Sequence, residues 1–174
     1  MNANWIRCVR VLAVSVMVVL LSAESHGQTL GDTKIVFMSD KGQPGTFDLW
    51  TVTYSGLSSE DLTNDPANKR MADWSPDGAR IAYASGGNVF VLDLSDSSVR
   101  QVTFDGGNDQ PSWSPDGTEM VYHKEDAYEV YRIPTSGGTP VLVVTNGWQA
   151  DWSPGGAQIA YSDIASPGTV FVVD

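Results

Sequence analysis

The chain has 174 residues, of which 10 are Lys or Arg and 21 are Asp or Glu, giving a formal net charge of −11. Such acidity repels phosphate backbones and anionic headgroups, which argues against nucleic-acid partners and peripheral membrane binding. The single cysteine, Cys8, lies near the N-terminus, so the rest of the chain offers no disulfide, thiol nucleophile or thiolate metal site.

In chain order, the first predicted element is a leader over residues 1–27. Arg7 and Arg10 precede the apolar run VLAVSVMVVLL at 11–21, and the small or polar residues SAESHG follow it, which is the layout of a secretory signal peptide. The run is shorter than the ~20 residues that span a bilayer. Cleavage after Ser25 or Gly27 leaves an exported chain with no stable membrane insertion. Cys8 precedes the apolar run, whereas the acylated cysteine of a lipoprotein follows it.

From residue 34 onward every predicted element is a strand. KIVFMS at 34–39 and DLWTV at 48–52 flank SDKGQPGTFD at 39–48, which reads as a long hairpin. RIAYAS at 80–85 precedes NVFVLDL at 88–94, EMVYHK at 119–124 precedes EVYRI at 129–133, and QIAYSD at 158–163 precedes TVFVVD at 169–174. A third run closes most units, ending in LT at 62–63, VT at 102–103 and VT at 144–145. No amphipathic helix is predicted after the leader.

Between these runs one short segment recurs: ADWSPDG at 72–78, PSWSPDG at 111–117 and ADWSPGG at 150–156. Trp74, Trp113 and Trp152 are spaced by 39 residues, and Tyr83, Tyr122 and Tyr161 keep the same interval. A period near 40 indicates stacked units, none of which buries its apolar face alone. Within the turn, Pro76 and Pro115 preset φ, Asp77 and Asp116 occupy the third position, and Gly78 and Gly117 take the positive φ that closes it. The third copy keeps Pro154 and Gly156, with Gly155 in place of the aspartate. A tryptophan present in every unit serves what every unit shares, which assigns these rings to packing between units.

Four short strands per unit define an all-β fold, a β-propeller of four-stranded antiparallel blades. The units are a partial blade at 34–65, a blade at 72–105, a blade at 111–146 and a partial blade at 150–174. The succession L-T, W-S-P-D-G, I-A-Y and a β-rich run resembles the WD-like repeat of the TolB β-propeller superfamily over nearly all of residues 34–174. The resemblance implies an exported bacterial propeller, in the periplasm or outside the cell. Propellers of this type occur in Tol–Pal proteins, lipoproteins, surface proteins and the gating domains of prolyl oligopeptidase-like enzymes. The α/β domain of TolB itself has no counterpart between the leader and residue 34. The usual ring of six blades exceeds what this chain supplies, so a partial propeller is expected, with the ring completed by missing sequence or by another chain.

The search for chemistry returns little. His123, the only histidine outside the leader, reads as a surface or rim residue, because no H-E-x-x-H or second histidine accompanies it. GLSSE at 56–60 departs from the G-x-S-x-G elbow at its last position, and the glycine pairs at 86–87, 106–107 and 137–138 read as turns. No D-x-[DN]-x-[DN]-G calcium loop is present. No catalytic residue, cofactor or metal ligand is therefore expected. The binding-face candidates are Trp50 and Trp148, which break the tryptophan register, and Asp109, within the variable segment 104–110; segments 64–73 and 145–149 vary likewise. The expected function is a non-catalytic platform for a protein or peptide partner. Alternatives are the gating portion of a longer prolyl oligopeptidase-like hydrolase, or a calcium- or glycan-binding surface module.

Overall fold

The computed structural model describes residues 17–19, 34–53, 55–166 and 168–174. Its elements are β1 (Met17–Val19), β2 (Lys34–Ser39), β3 (Asp48–Thr53), β4 (Ser59–Asp61), β5 (Lys69–Trp74), β6 (Arg80–Ser85), β7 (Asn88–Asp93), β8 (Val99–Gln101), β9 (Asn108–Trp113), β10 (Glu119–Lys124), β11 (Glu129–Pro134), β12 (Val141–Thr145), β13 (Gly147–Trp152), β14 (Ile159–Asp163) and β15 (Val170–Val173). They form four antiparallel meanders: β1 to β4, β5 to β8, β9 to β12, and the three-stranded β13 to β15. The chain is thus all-β and arranged as propeller blades. Among the described residues no helix is long and apolar enough to cross a membrane.

Local chemistry builds each blade. The β2–β3 ladder runs from Lys34 opposite Thr53 to Ser39 opposite Asp48, so residues 39–48 form the long hairpin. Between β6 and β7 the connection is only Gly86 and Gly87, at φ 56° and 76°, a left-handed pair that side chains resist. In the W-S-P-D-G turns the serine hydroxyl and the aspartate carboxylate hold the backbone. Arg80 N donates to Ser75 Oγ at 2.9 Å and Ala79 N to Asp77 Oδ1 at 3.0 Å, and Glu119 N and Thr118 N donate to Ser114 and Asp116 in the same way. The third copy keeps only the serine bond, Gln158 N to Ser153 Oγ at 3.0 Å.

The blades then stack face to face, with neighbouring positions on one strand serving opposite neighbours. Ile81 and Tyr83 of β6 pack with Val36, Met38 and Leu49 of the first blade, whereas Ala82 faces Trp113, Met120 and Tyr122 of the third. Val121 and Val130 of the third blade meet Ala150, Trp152 and Ile159 of the fourth. Trp113 is buried, its backbone N–H donating to Asp73 Oδ2 at 2.9 Å and its Nε1 to Asp73 O at 3.2 Å across the blade boundary. Ser112 Oγ repeats the link to Asp151 Oδ1 at 2.7 Å. Inner strands β5, β9 and β13 lie side by side.

The expected leader at 1–27 falls outside the described residues except for β1. The β1 backbone pairs antiparallel with β2, Met17 opposite Met38 and Val19 opposite Val36, in the inner position that β5, β9 and β13 hold in their blades.

Candidate functional site

The inner strands β5, β9 and β13 start on one face of the molecule and end on the other about 20 Å away, in a W-S-P-D-G turn or, after β13, its W-S-P-G-G counterpart. Antiparallel order brings the hairpin at 40–47, the turns at 86–87 and 125–128 and the connections at 62–68 and 102–107 to the starting face. The three segments that differ between copies therefore share one face, while the repeated turns share the opposite one. There Gly117 and Gly156 nest against Pro76 and Pro115, with room for a Cβ only at 3.7 and 3.6 Å, and Arg80 lies 4.8 Å over the Trp113 ring. Trp74, Asp77, Gly78, Asp116, Trp152 and Pro154 belong to this turn-bearing end.

At the starting face β5, β9 and β13 each carry a bulge. The register shifts between Arg70 and Asp73, within β9 opposite Val121 and His123, and between Trp148 and Asp151. Met71, Gln110 and Gln149 sit at the bulges with φ of 49°, 54° and 53°, left-handed values costly for residues with a Cβ. A bulge bends its strand and re-aims the adjacent side chains. Those immediately before it are Arg70, Asp109 and Trp148: a cation, an anion and an aromatic ring at one repeated backbone position.

Arg70 Nη2 spans to Asp109 Oδ2 of the next blade and to Glu125 Oε1 at 3.0 Å. The guanidinium is half exposed, whereas Asp109 is buried and also accepts from Gln110 N at 2.8 Å. Burial pushes the Asp109 carboxyl above the usual carboxylate range; the Gln110 N–H and Arg70 oppose this, and Glu125 reinforces it. Arg70 and Asp109 line a groove of about 350 Å³ with Asn68, Ser85, Gly86 and Gly87.

His123 stands opposite Asp109 in the β9–β10 ladder. The sequence suggests a surface or rim residue, but the structure buries it, leaving 1% exposed. The reason is the fourth blade: Trp148 from β13 lies 4.6 Å from the imidazole, and Tyr128 covers another side at 6.3 Å. Among the described residues neither ring nitrogen has a hydrogen-bond partner. Burial lowers the imidazole pKa below its ordinary value, with Glu125 pulling the other way, so the ring is neutral at pH 7.

Trp148 breaks the tryptophan register yet shares the 39-residue register of Arg70 and Asp109. Trp50 is placed differently: it lies in mid-β3 opposite Phe37 and Asp61, with Lys41 Nζ 5.1 Å above its ring, and is not brought to the other two. Arg70 and Glu125, absent from the sequence candidates, are brought to Asp109. Extending the repeat alignment four residues before each tryptophan exposes Arg70; Glu125 carries no sequence signal. Among the described residues no group of three His, Cys, Asp or Glu is placed to hold a metal ion.

A family model described as the TolB beta propeller domain matches residues 30–173. No curated protein matches the chain. Among solved structures, TolB from Acinetobacter baumannii superposes with a TM-score of 0.68 at 21% identity, over 80% of this chain and 37% of that one. The putative TolB from Agrobacterium tumefaciens gives 0.65 at 19% identity, over 80% and 56%. A prolyl endopeptidase gives 0.59 at 14% identity, over 91% of this chain and 27% of that one. The chain thus spans about a third to a half of the TolB structures' length, and these likenesses show the fold. With the family match running from before β2 to the last residue of β15 over stacked W-S-P-D-G blades, the chain belongs to the TolB β-propeller domain family.

Proposed function

We propose that this protein is an exported, non-catalytic platform that holds a protein or peptide partner on the face bearing Arg70, Asp109 and Trp148. The observation that carries the reading is the bulged position of the inner strands, repeated in backbone and unrepeated in side chain. Repetition serves packing, so a position that a repeated bulge re-aims in every blade while its residue type varies is available for recognition. Trp148 and Tyr128 supply rigid aromatic area, and Arg70 supplies a half-exposed guanidinium beside a groove, the residue types enriched at interfaces. The acidic surface favours a partner without a polyanionic face.

The test compares the two faces. Partners of the exported protein are fixed in source cells by brief cross-linking, and yields are measured for wild type, Trp148→Ala and Asp109→Asn on one face and for Asp116→Ala on the other. Loss of about tenfold in the first two, with Asp116→Ala unchanged, is expected for a hot spot worth about 1.4 kcal/mol. Loss confined to Asp116→Ala would overturn the reading.

A further inference from the structure

His123 is a buried ionisable ring that no hydrogen bond holds: it is 1% exposed, and among the described residues neither Nδ1 nor Nε2 has a partner. Its seat is aromatic, with Trp148 from β13 at 4.6 Å, Tyr128 from the following turn at 6.3 Å, and 6.4 Å between those two rings. Both covers sit on strained backbone. Tyr128 itself has φ 51°, and Trp148 lies between Asn146 at 58° and Gln149 at 53°. Such values are costly for a residue with a Cβ and persist while the surrounding packing imposes them. The charged groups around the ring come from several elements. On β9 Asp109 stands opposite it, and Glu125 follows two residues later in the chain; these two carboxylates share one guanidinium, that of Arg70. Lys124 is committed to Asp105 and the Gly106 carbonyl, and Asp126 lies over Gly107. On β11 the opposing residue is Val130, and Glu129 accepts from the Tyr131 hydroxyl at 2.8 Å; on β14 Asp163 accepts from Ala165 N at 2.6 Å.

We propose that His123 is an acid-sensitive latch on the recognition face: uncharged, its ring seats Trp148 and Tyr128; protonated, it draws Glu125 off Arg70, unseats both rings and releases the bound partner. The proposal rests on reading that face as a platform. An imidazolium in the closed site holds a charge and two N–H donors without an acceptor, a cost met by pairing with a carboxylate. Of the two carboxylates, Asp109 is buried and also accepts from Gln110 N, whereas the Glu125 side chain is 42% exposed. Arg70 keeps Asp109 and, being half exposed, exchanges Glu125 for water at little cost. The exchange takes one proton from solvent and places an ion pair beneath Trp148 and Tyr128, where an uncharged ring had been. Both covers lose that seat, and the left-handed values at Tyr128 and Gln149 lose the packing that imposes them. Burial disfavours the imidazolium and Glu125 favours it, so the latch opens below the ordinary imidazole value of 6.5.

The experiment follows the purified protein by NMR from pH 7.5 to pH 5, with the Trp148 indole assigned by its absence in Trp148→Phe and the His123 ring by its through-space contact with that indole. The expected result is a His123 ring that titrates below pH 6.5, with the Trp148 and Tyr128 resonances moving over the same range while the Trp113 indole stays fixed. Glu125→Gln shifts the midpoint down by about half a pH unit, roughly a threefold loss of proton affinity, and His123→Phe abolishes the movement. The yield of cross-linked partner falls about tenfold from pH 7 to pH 5 in the wild type and stays level in His123→Phe. A ring that titrates while Trp148 and Tyr128 hold still would overturn the latch. Loss of the Trp113 resonance in the same step would show unfolding of the whole chain and overturn a local switch. Rings that move with an unchanged yield would overturn release of the partner. Glu125→Gln keeps the imidazole, so an unshifted midpoint overturns the exchange of partners even where His123→Phe does not fold. The platform reading fails separately, if Trp148→Ala captures as much partner as the wild type at pH 7.

Discussion

Asp109 is a buried carboxylate whose charge is matched from outside, by an arginine that keeps half its surface in water. Removing Arg70 leaves that charge with the Gln110 N–H as its main support, so Arg70→Ala is expected to cost about 2 kcal/mol, measured as a lowered urea midpoint. Asp109→Asn added to it should recover most of the loss, because the neutral amide needs no counter-charge; additive losses would contradict the pairing. His123 makes a second claim at this scale. Its folded pKa is depressed by burial, so the stability it contributes is complete above the unfolded value near 6.5 and is lost as pH falls through that value toward the folded one. The groups facing it are Asp109 across β9, Glu125 in the turn, and Tyr128 and Trp148. The melting temperature should fall from pH 7 to pH 5 by more in the wild type than in His123→Phe, which keeps an aromatic ring and cannot charge. Equal slopes would show that the imidazole does not resist protonation.

At the scale of elements, the turn and the bulge behave oppositely. The W-S-P-D-G turn was legible in the sequence because its determinants are local: proline presets φ, the serine and aspartate side chains bond the backbone within five residues, and glycine takes φ 68° or 72°. The bulges were not legible, since Met71, Gln110 and Gln149 carry no local preference for the left-handed region and adopt it under tertiary packing. The burial of His123 was illegible for a related reason, because Trp148, 25 residues away, makes it. Glycine at a bulge relieves the Cβ clash, so Gln149→Gly, at an exposed position, is expected to leave thermal stability unchanged or raise it by up to about 1 kcal/mol. Thr145→Gly, on the exposed edge strand β12, should instead cost about 0.5–1 kcal/mol; equal losses would argue against strain at the bulge. Trp113 joins two blades by ring and by hydrogen bond, and Trp113→Ala should cost about 3–5 kcal/mol in chemical denaturation. A loss under about 1 kcal/mol would mean that the blades hold together without it.

For the molecule as a whole, packing and the proposed recognition fall at two ends of the same inner strands. The repeated residues meet at the turn-bearing end, where adjacent turns nest, and the unrepeated ones meet at the other, where the bulges turn Arg70, Asp109 and Trp148 toward the groove and the aromatic cluster. Periodicity read from the sequence gave the blades, and departures from periodicity pointed to Asp109 and Trp148. Only stacking the blades showed that these two occupy one equivalent position with Arg70. The most direct measurement is hydrogen exchange of the protein with and without its cross-link-captured partner, read segment by segment. The account expects slowed exchange at 69–71, 108–110 and 147–149 with the turns at 75–78, 114–117 and 153–156 unchanged, whereas protection confined to the turns would contradict it.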